Sequence, residues 1–201
     1  VFVTLGFDPL NLVEEDKRQV EKFIIEHKDD IVGIGEVGLD FYWIRAEEAK
    51  EKQKAFFREW IRLAKKLGLP LVVHSRSAGK YAIEILLEEG YPNVLMHAFD
   101  GKVGYALNGA NEGFFFSIPT SVCHSAQKQK LVRSLPLENM VVETDSPVLS
   151  PVKGMRNEPA NVFYAIEKIA EIKRVSAEQV AEITLENTLR LFPRIKERLK
   201  V

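Results

Sequence analysis

Cysteine is nearly missing: Cys123 is alone among 201 residues. That excludes an intramolecular disulfide and suits a reducing compartment, so a cytoplasmic location is expected. A surplus of charge is missing too. The 28 Lys and Arg against 29 Asp and Glu leave a formal net charge of −1, which excludes an overall positive field drawing the chain onto nucleic acid or an anionic membrane. Any affinity for phosphate has to be local. Long apolar runs are absent as well, none approaching the roughly 18 to 20 residues that span a bilayer, and the opening Val1-Phe2-Val3-Thr4-Leu5-Gly6 lacks the basic region of a signal peptide. No membrane partner is expected. The opening reads as a strand, and a chain that starts inside a strand without methionine is expected to have lost residues upstream.

What is present is an alternation of two rhythms. Short apolar runs at Val1–Gly6, Ile31–Gly35, Leu71–Val73, Val94–Met96, Phe114–Ile118 and Met140–Val142 are continuous rather than alternating, as in parallel strands covered on both faces. Between them lie stretches with helical spacing. Asn11 with Glu14 predicts a capping box and a helix whose inner face uses Val13, Val20, Phe23 and Ile24. A second helix, Glu47 to Leu67, aligns Gln53, Phe56, Phe57, Trp60, Ile61, Ala64 and Leu67 and stops at Gly68. A third, from about Ser77 to Glu89, is expected to bury Tyr81, Ile85 and Leu86, and shorter ones fill 102–112 and 123–135. Beyond Pro159 the pattern is helical again, with Ser176 and Gln179 forming another expected capping box. With 46% hydrophobic residues and no composition break, residues 1–201 read as one domain. The alternation suits either an open doubly wound sheet or a (β/α)8 TIM-type barrel. A barrel needs eight strands and typically about 250 residues, so the first two βα units would be lacking here.

Four of these strands lead directly into a metal-ligand residue type: Glu36, His74, His97 and Asp145. In a parallel barrel such strand ends converge on one face, and an imidazole and carboxylate mixture suits a cation such as Zn²⁺ or Mn²⁺. One histidine after a strand is more often a hydrogen-bonded residue than a ligand, and Arg or Lys could balance a buried carboxylate. The joint pattern is what favours coordination. Arg76 falls at the same mouth, where it would clamp phosphate oxygens or pair with a neighbouring loop. His27 reads as a helix-terminal residue, Cys123-His124 as neighbours without catalytic geometry, and the interleaved charges of residues 47–67 as a solvated face.

Ile34-Gly35-Glu36-Val37-Gly38-Leu39-Asp40, Leu69-Pro70-Leu71-Val72-Val73-His74-Ser75-Arg76, Met96-His97-Ala98-Phe99-Asp100-Gly101, Glu143-Thr144-Asp145-Ser146-Pro147 and Arg156-Asn157-Glu158-Pro159 resemble, in order, the motifs of the TatD-like metal-dependent deoxyribonucleases, which are amidohydrolase-type barrels. The resemblance implies a two-metal phosphodiesterase using Mg, Mn or Zn. Glu36 would bridge both cations, His74 and His97 would bind one, and Asp145 would bind the other and handle the proton of the attacking water. Arg76 would hold the substrate phosphate. The implied substrate is DNA at single-stranded or frayed ends, cleaved as by a 3'-5' exonuclease. The family's opening HxH motif has no counterpart in this sequence, whose first strand aligns with the family's third. Where the family commonly shows a His after the Gly of that strand, this chain reads Gly6-Phe7-Asp8-Pro9. Two other readings accompany this one: a metal-dependent hydrolase of an amide or ester such as an aminoacyl-RNA, and a catalytically inactive barrel acting as a binding module.

Overall fold

A computed structural model describes residues 1–199. Strand and helix alternate as β1 (Thr4–Leu5), α1 (Glu14–Glu26), β2 (Gly33–Gly38), α2 (Glu47–Leu67), β3 (Leu71–His74), α3 (Gly79–Glu89), β4 (Val94–Met96), α4 (Val103–Asn111), β5 (Phe115–Pro119), α5 (Ala126–Ser134) and β6 (Met140–Glu143), followed by α6 (Val162–Lys173), α7 (Ala177–Leu191) and α8 (Pro193–Leu199). All neighbouring strands are parallel and their spatial order is the chain order, β1 to β6. Each crossover therefore advances one strand in the same direction. A doubly wound sheet reverses direction at a switch point, and among the described residues no reversal occurs, so the winding is that of a barrel.

Continuous apolar strands are explained by two separate cores. Leu71 and Val73 face the helical layer, where they join Phe57, Ile61, Leu86 and Phe116. Val72, between them, points inward with Leu95, Phe115 and Val141, one residue from each successive strand. Leu191 and Phe192 close this inner layer. Arg194 donates to the carbonyls of Lys28 and Ile31, and Arg198 to those of Asp29 and Asp30, which ties α8 to the approach to β2.

Helix boundaries follow local chemistry. α2 stops at Gly68 in the left-handed conformation (φ 64°), and its amide returns to the carbonyls of Ala64 and Lys65. Ser176 and Gln179 form the expected capping box at the start of α7. Four expectations need correction. α1 begins after Val13 without a side-chain cap, because Asn11 Oδ1 instead accepts from the Val13 amide in a local turn. Val13 and Phe23 are exposed while Ile24 is fully buried, so the buried stripe of α1 is narrower than its apolar residues suggest. Tyr81 is half-exposed, lying against Phe41 outside the core. The predicted 123–135 helix is a 3-10 turn at Thr120–Cys123 followed by α5, capped by Ser125. The charged face of α2 carries pairs at i,i+3, Lys50 with Glu47 and Lys54 with Glu51, and its arginines reach across to Glu88 and Glu89 of α3.

Candidate active site

Glu36 lies inside β2 rather than after it. Between the pairs Ile34–Leu71 and Val37–Val73 the register slips by one residue, so Gly35 and Glu36 stand opposite Val72 alone. Such a bulge re-aims a side chain that a regular strand would send elsewhere, and Glu36 emerges half-exposed while its neighbours stay buried. Gly38 makes the close approach possible: at φ 143° any Cβ would stand 2.1 Å from the His74 carbonyl oxygen, the same oxygen that accepts from the Leu39 amide.

His74 ends β3 and His97 follows β4, and both turn toward Glu36. His74 Nδ1 lies 3.5 Å from Glu36 Oε2, and His97 Nε2 lies 3.7 Å from Glu36 Oε1 and 3.6 Å from Asp145 Oδ1. Each imidazole is held from behind by a carboxylate. Asp40 Oδ2 is 3.0 Å from His74 Nε2, and Glu143 Oε2 is 2.6 Å from His97 Nδ1. The second oxygens are anchored to backbone, Asp40 Oδ1 by the amides of Tyr42 and Trp43 and Glu143 Oε1 by that of Ala98. A carboxylate behind an imidazole selects its tautomer and aims the opposite nitrogen, the arrangement found behind metal-binding histidines. Asp40 and Glu143 stood within sequence motifs without assigned roles, and only the fold reveals which histidine each one meets.

Asp145 sits two residues beyond β6 with φ 56°, and Ser77 and Ala98 at neighbouring strand ends, with Leu149 in the same loop as Asp145, also have positive φ. Left-handed backbone of this kind costs of order 1–3 kcal/mol per residue and persists where surrounding contacts enforce it. The enforcing contacts include buried Asn157, whose Nδ2 donates to Thr120 Oγ1 at 2.9 Å, Thr144 O at 2.7 Å and Val148 O at 2.8 Å. This amide binds the Asp145 loop to the end of β5.

Charges at the mouth are strongly coupled. Burial opposes protonation of His97, but the Glu143 hydrogen bond and the charges of Glu143, Glu36 and Asp145 raise its pKa to about 9. His74 is raised likewise, against burial, by Glu36 and Asp40. Burial pushes Glu36 up, yet the two imidazoles outweigh it and the carboxyl is lowered. Asp145 is raised, by burial first and then by Glu143 and Glu36, against the pull of His97. It is the carboxylate of the cluster with enhanced basicity.

The four candidate donors from four strand ends thus share one mouth. Atoms bound at roughly 2.0–2.2 Å around a tetrahedral cation stand about 3.3–3.6 Å apart, which the observed separations approach. Among the described residues no three of these side chains close on one point as a finished cage. Pairwise spacing and the carboxylates behind the imidazoles are what favour coordination, since side-chain rotation alone changes that convergence. By donor chemistry and spacing the residues fit a divalent cation.

A cavity of about 700 Å³ opens beside them, lined by His74, Arg76, His97, Asp145, Lys128 and His124 among others. Arg76 lies over the Tyr42 ring, its guanidinium carbon 4.0 Å from the centroid, which replaces the salt-bridge alternative with a stacked cation. Lys128, unnoticed in the sequence because it falls in a polar helical stretch, is buried and donates to the carbonyls of Ala98 and Phe99. Its pKa falls to about 8 because burial outweighs nearby Asp100, Glu143 and Asp145. His124 enters the wall with its Nε2 3.0 Å from the Ser150 carbonyl, whereas Cys123 turns to the Tyr164 carbonyl, so the two are no nucleophile and base. His27 is the C-terminal cap of α1, 3.1 Å from Asp30.

Known proteins share this architecture. A family model described as TatD related DNase matches residues 1–193. The human protein named Deoxyribonuclease TATDN3 is 46% identical over 211 residues, covering 100% of this chain and 77% of its own length. An uncharacterized metal-dependent hydrolase of Methanocaldococcus jannaschii is 37% identical over 196 residues, covering 96% of this chain and 76% of its own. The crystal structure of YJJV, a TatD homolog from Escherichia coli, shares the fold at a TM-score of 0.85 and 24% identity, over 96% of this chain and 76% of that one. Sequence relationship along nearly the whole chain and a common strand winding lead to one assignment: the chain belongs to the TatD-related DNase family.

Proposed function

We propose that the chain hydrolyses DNA phosphodiester bonds, removing nucleotides from single-stranded or frayed ends in the 3'-5' direction. The observation that carries this reading is the pair of histidines on adjacent strand ends, each backed by a carboxylate and turned toward Glu36, with Asp145 completing the cluster. Glu36, His74, His97 and Asp145 would hold divalent cations, Mg, Mn or Zn. When bound, such cations polarise the phosphate and acidify water.

The chain's own side chains supply the rest. Arg76, stacked on Tyr42 at the cavity wall, holds the phosphate oxygens through its fork of N–H donors. Asp145, with its raised pKa, accepts the proton of the attacking water at a carboxylate oxygen. Glu143 and Asp40 hold the imidazole rings in orientation throughout. The near-neutral net charge is compatible with a site that grips a few terminal phosphates.

The test is elemental analysis of the purified chain together with a divalent-metal-dependent assay on 3'- and 5'-labelled single-stranded DNA. Bound metal, stepwise release of nucleotides from the 3' end, and loss of at least about 100-fold in rate in Asp145→Ala are expected. Hydrolysis of an aminoacyl ester with intact DNA would move the assignment to ester chemistry. Metal-free, inert protein would favour a binding module.

A further inference from the structure

The loop from β2 to α2 places two aromatic side chains against Arg76, which lines the cavity, and the metal-ligand cluster has no use for them. Trp43 is 61% exposed and Tyr42 is 41% exposed. Scattered exposed aromatics need no explanation, but these two are packed edge to face, with centroids 4.9 Å apart at 87°. Arg76 covers the Tyr42 ring and stands 5.9 Å from the Trp43 centroid. Tyr42 therefore spends one face on the cation and supports Trp43 edge to face, while the indole stays largely open to solvent.

The loop is also held in place. The amides of Tyr42 and Trp43 both donate to Asp40 Oδ1 at 3.0 Å, and the other oxygen of that carboxylate holds His74. The Phe41 amide donates to the Arg76 carbonyl, and the Asp40 amide to Gln53 Oε1 of α2. One buried carboxylate thus sets the position of an imidazole of the reaction centre and of an exposed aromatic pair. A surface fixed before binding gives up little conformational entropy on contact.

We infer that Trp43, propped by Tyr42 and set beside Arg76, is a stacking platform for a nucleobase of the DNA strand, adjacent to the phosphate that Arg76 holds. This rests on the nuclease reading of the same site. Stacking on an aromatic face is tolerant of base identity because every base presents a π-face, as an enzyme working along mixed sequence requires. A cation and an aromatic face in contact offer the two things a nucleotide presents, a phosphate and a ring.

The chain carries two tryptophans, and Trp60 is buried in the core, so Trp43 reports ligand contact by its own fluorescence. The experiment titrates the metal-loaded protein with a hydrolysis-resistant phosphorothioate tetrathymidylate and with an abasic tetranucleotide of equal charge. Affinities of the wild type, Trp43→Ala and Trp43→Phe are read by anisotropy of labelled oligonucleotide, and cleavage of end-labelled DNA by the wild type is followed in parallel. Quenching by the thymidylate but not by the abasic strand is expected, with affinity about tenfold weaker in Trp43→Ala and recovered in Trp43→Phe. Affinity for the abasic strand should be equal in all three proteins. If the wild type cleaves DNA while Trp43→Ala binds thymidylate as tightly as the wild type, the platform is refuted and the nuclease reading survives. If the wild type neither binds nor cleaves DNA, the nuclease reading fails and the platform falls with it.

Discussion

At the scale of single residues, the carboxylates behind the imidazoles are as informative as the candidate ligands themselves. Glu143 accepts from His97 at Nδ1 and from the Ala98 amide, so it aims the ring and also holds the strained turn that follows. Glu143→Gln keeps the shape but removes the charge that favours a proton on Nδ1. Metal affinity should fall about 10- to 100-fold with little change in the fold, measured by competition with a chromophoric chelator. Unchanged affinity would show that His97 needs no such support. The sequence displayed Glu36, His74, His97 and Asp145 because each follows an apolar run, a property of chain position. Asp40, Glu143 and Lys128 were silent because their meaning depends on partners 34, 46 and 30 residues away.

Among elements, the loop that follows β6 carries the greatest demand. Asp145 and Leu149 both adopt positive φ within it, and Asn157 meets that demand with donations to Thr120, Thr144 and Val148. Asn157→Ala leaves the buried Thr120 hydroxyl and two part-buried carbonyls without this partner, at a cost of about 1–3 kcal/mol. A lower urea midpoint together with a larger loss of activity than of stability is the expected result, since Asp145 rides on this loop. A variant with lowered stability and intact turnover would separate the loop from the chemistry. The segment Arg156-Asn157-Glu158-Pro159 was recognisable as a motif, but the staple itself required β5 and β6 to be neighbours. The β2 bulge was likewise hidden, because a slip in register is a relation between two strands. Helix ends were legible where the signal is local, as at Gly68 and Ser176, and failed at Asn11, whose side chain found a nearer amide.

For the whole molecule, the charge cluster ties stability to pH when metal is stripped away. His97 favours its protonated form in the folded state, so its contribution is complete below its ordinary value of 6.5 and is lost as pH rises through about 9. His74, also raised, adds to that loss. Lys128 has the opposite sign: its buried charge is a penalty below about 8, relieved as pH climbs toward its ordinary 10.5. Protein kept in chelator should lose stability from about pH 6.5 to 8, level off between about 8 and 9, and recover above that. Urea midpoints across this range test the profile, and Lys128→Met should weaken the recovery, leaving the smaller part that Lys173, also lowered by burial, supplies. A steady rise from pH 6.5 to 9 would contradict it. Because metal ligands must shed protons, loading a cation near neutral pH should also release protons and flatten the falling limb.

Sequence by itself determined the alternation of strand and helix, since periodicity and glycine stops are written along the chain. It also determined which residue types lie at strand ends, because apolar runs have readable limits. Alternation alone left open the choice between an open sheet and a barrel; the motif resemblance implied the barrel, and the tertiary structure bears it out by stacking β1 to β6 in chain order. Tertiary structure alone also paired Asp40 with His74 and Glu143 with His97, turned Glu36 into the mouth through a bulge, and laid Arg76 on Tyr42. The physical reason is common to all of these: propensity and pattern are properties of neighbours in sequence, whereas register, electrostatic coupling and stacking arise between residues that meet only after the chain has wound.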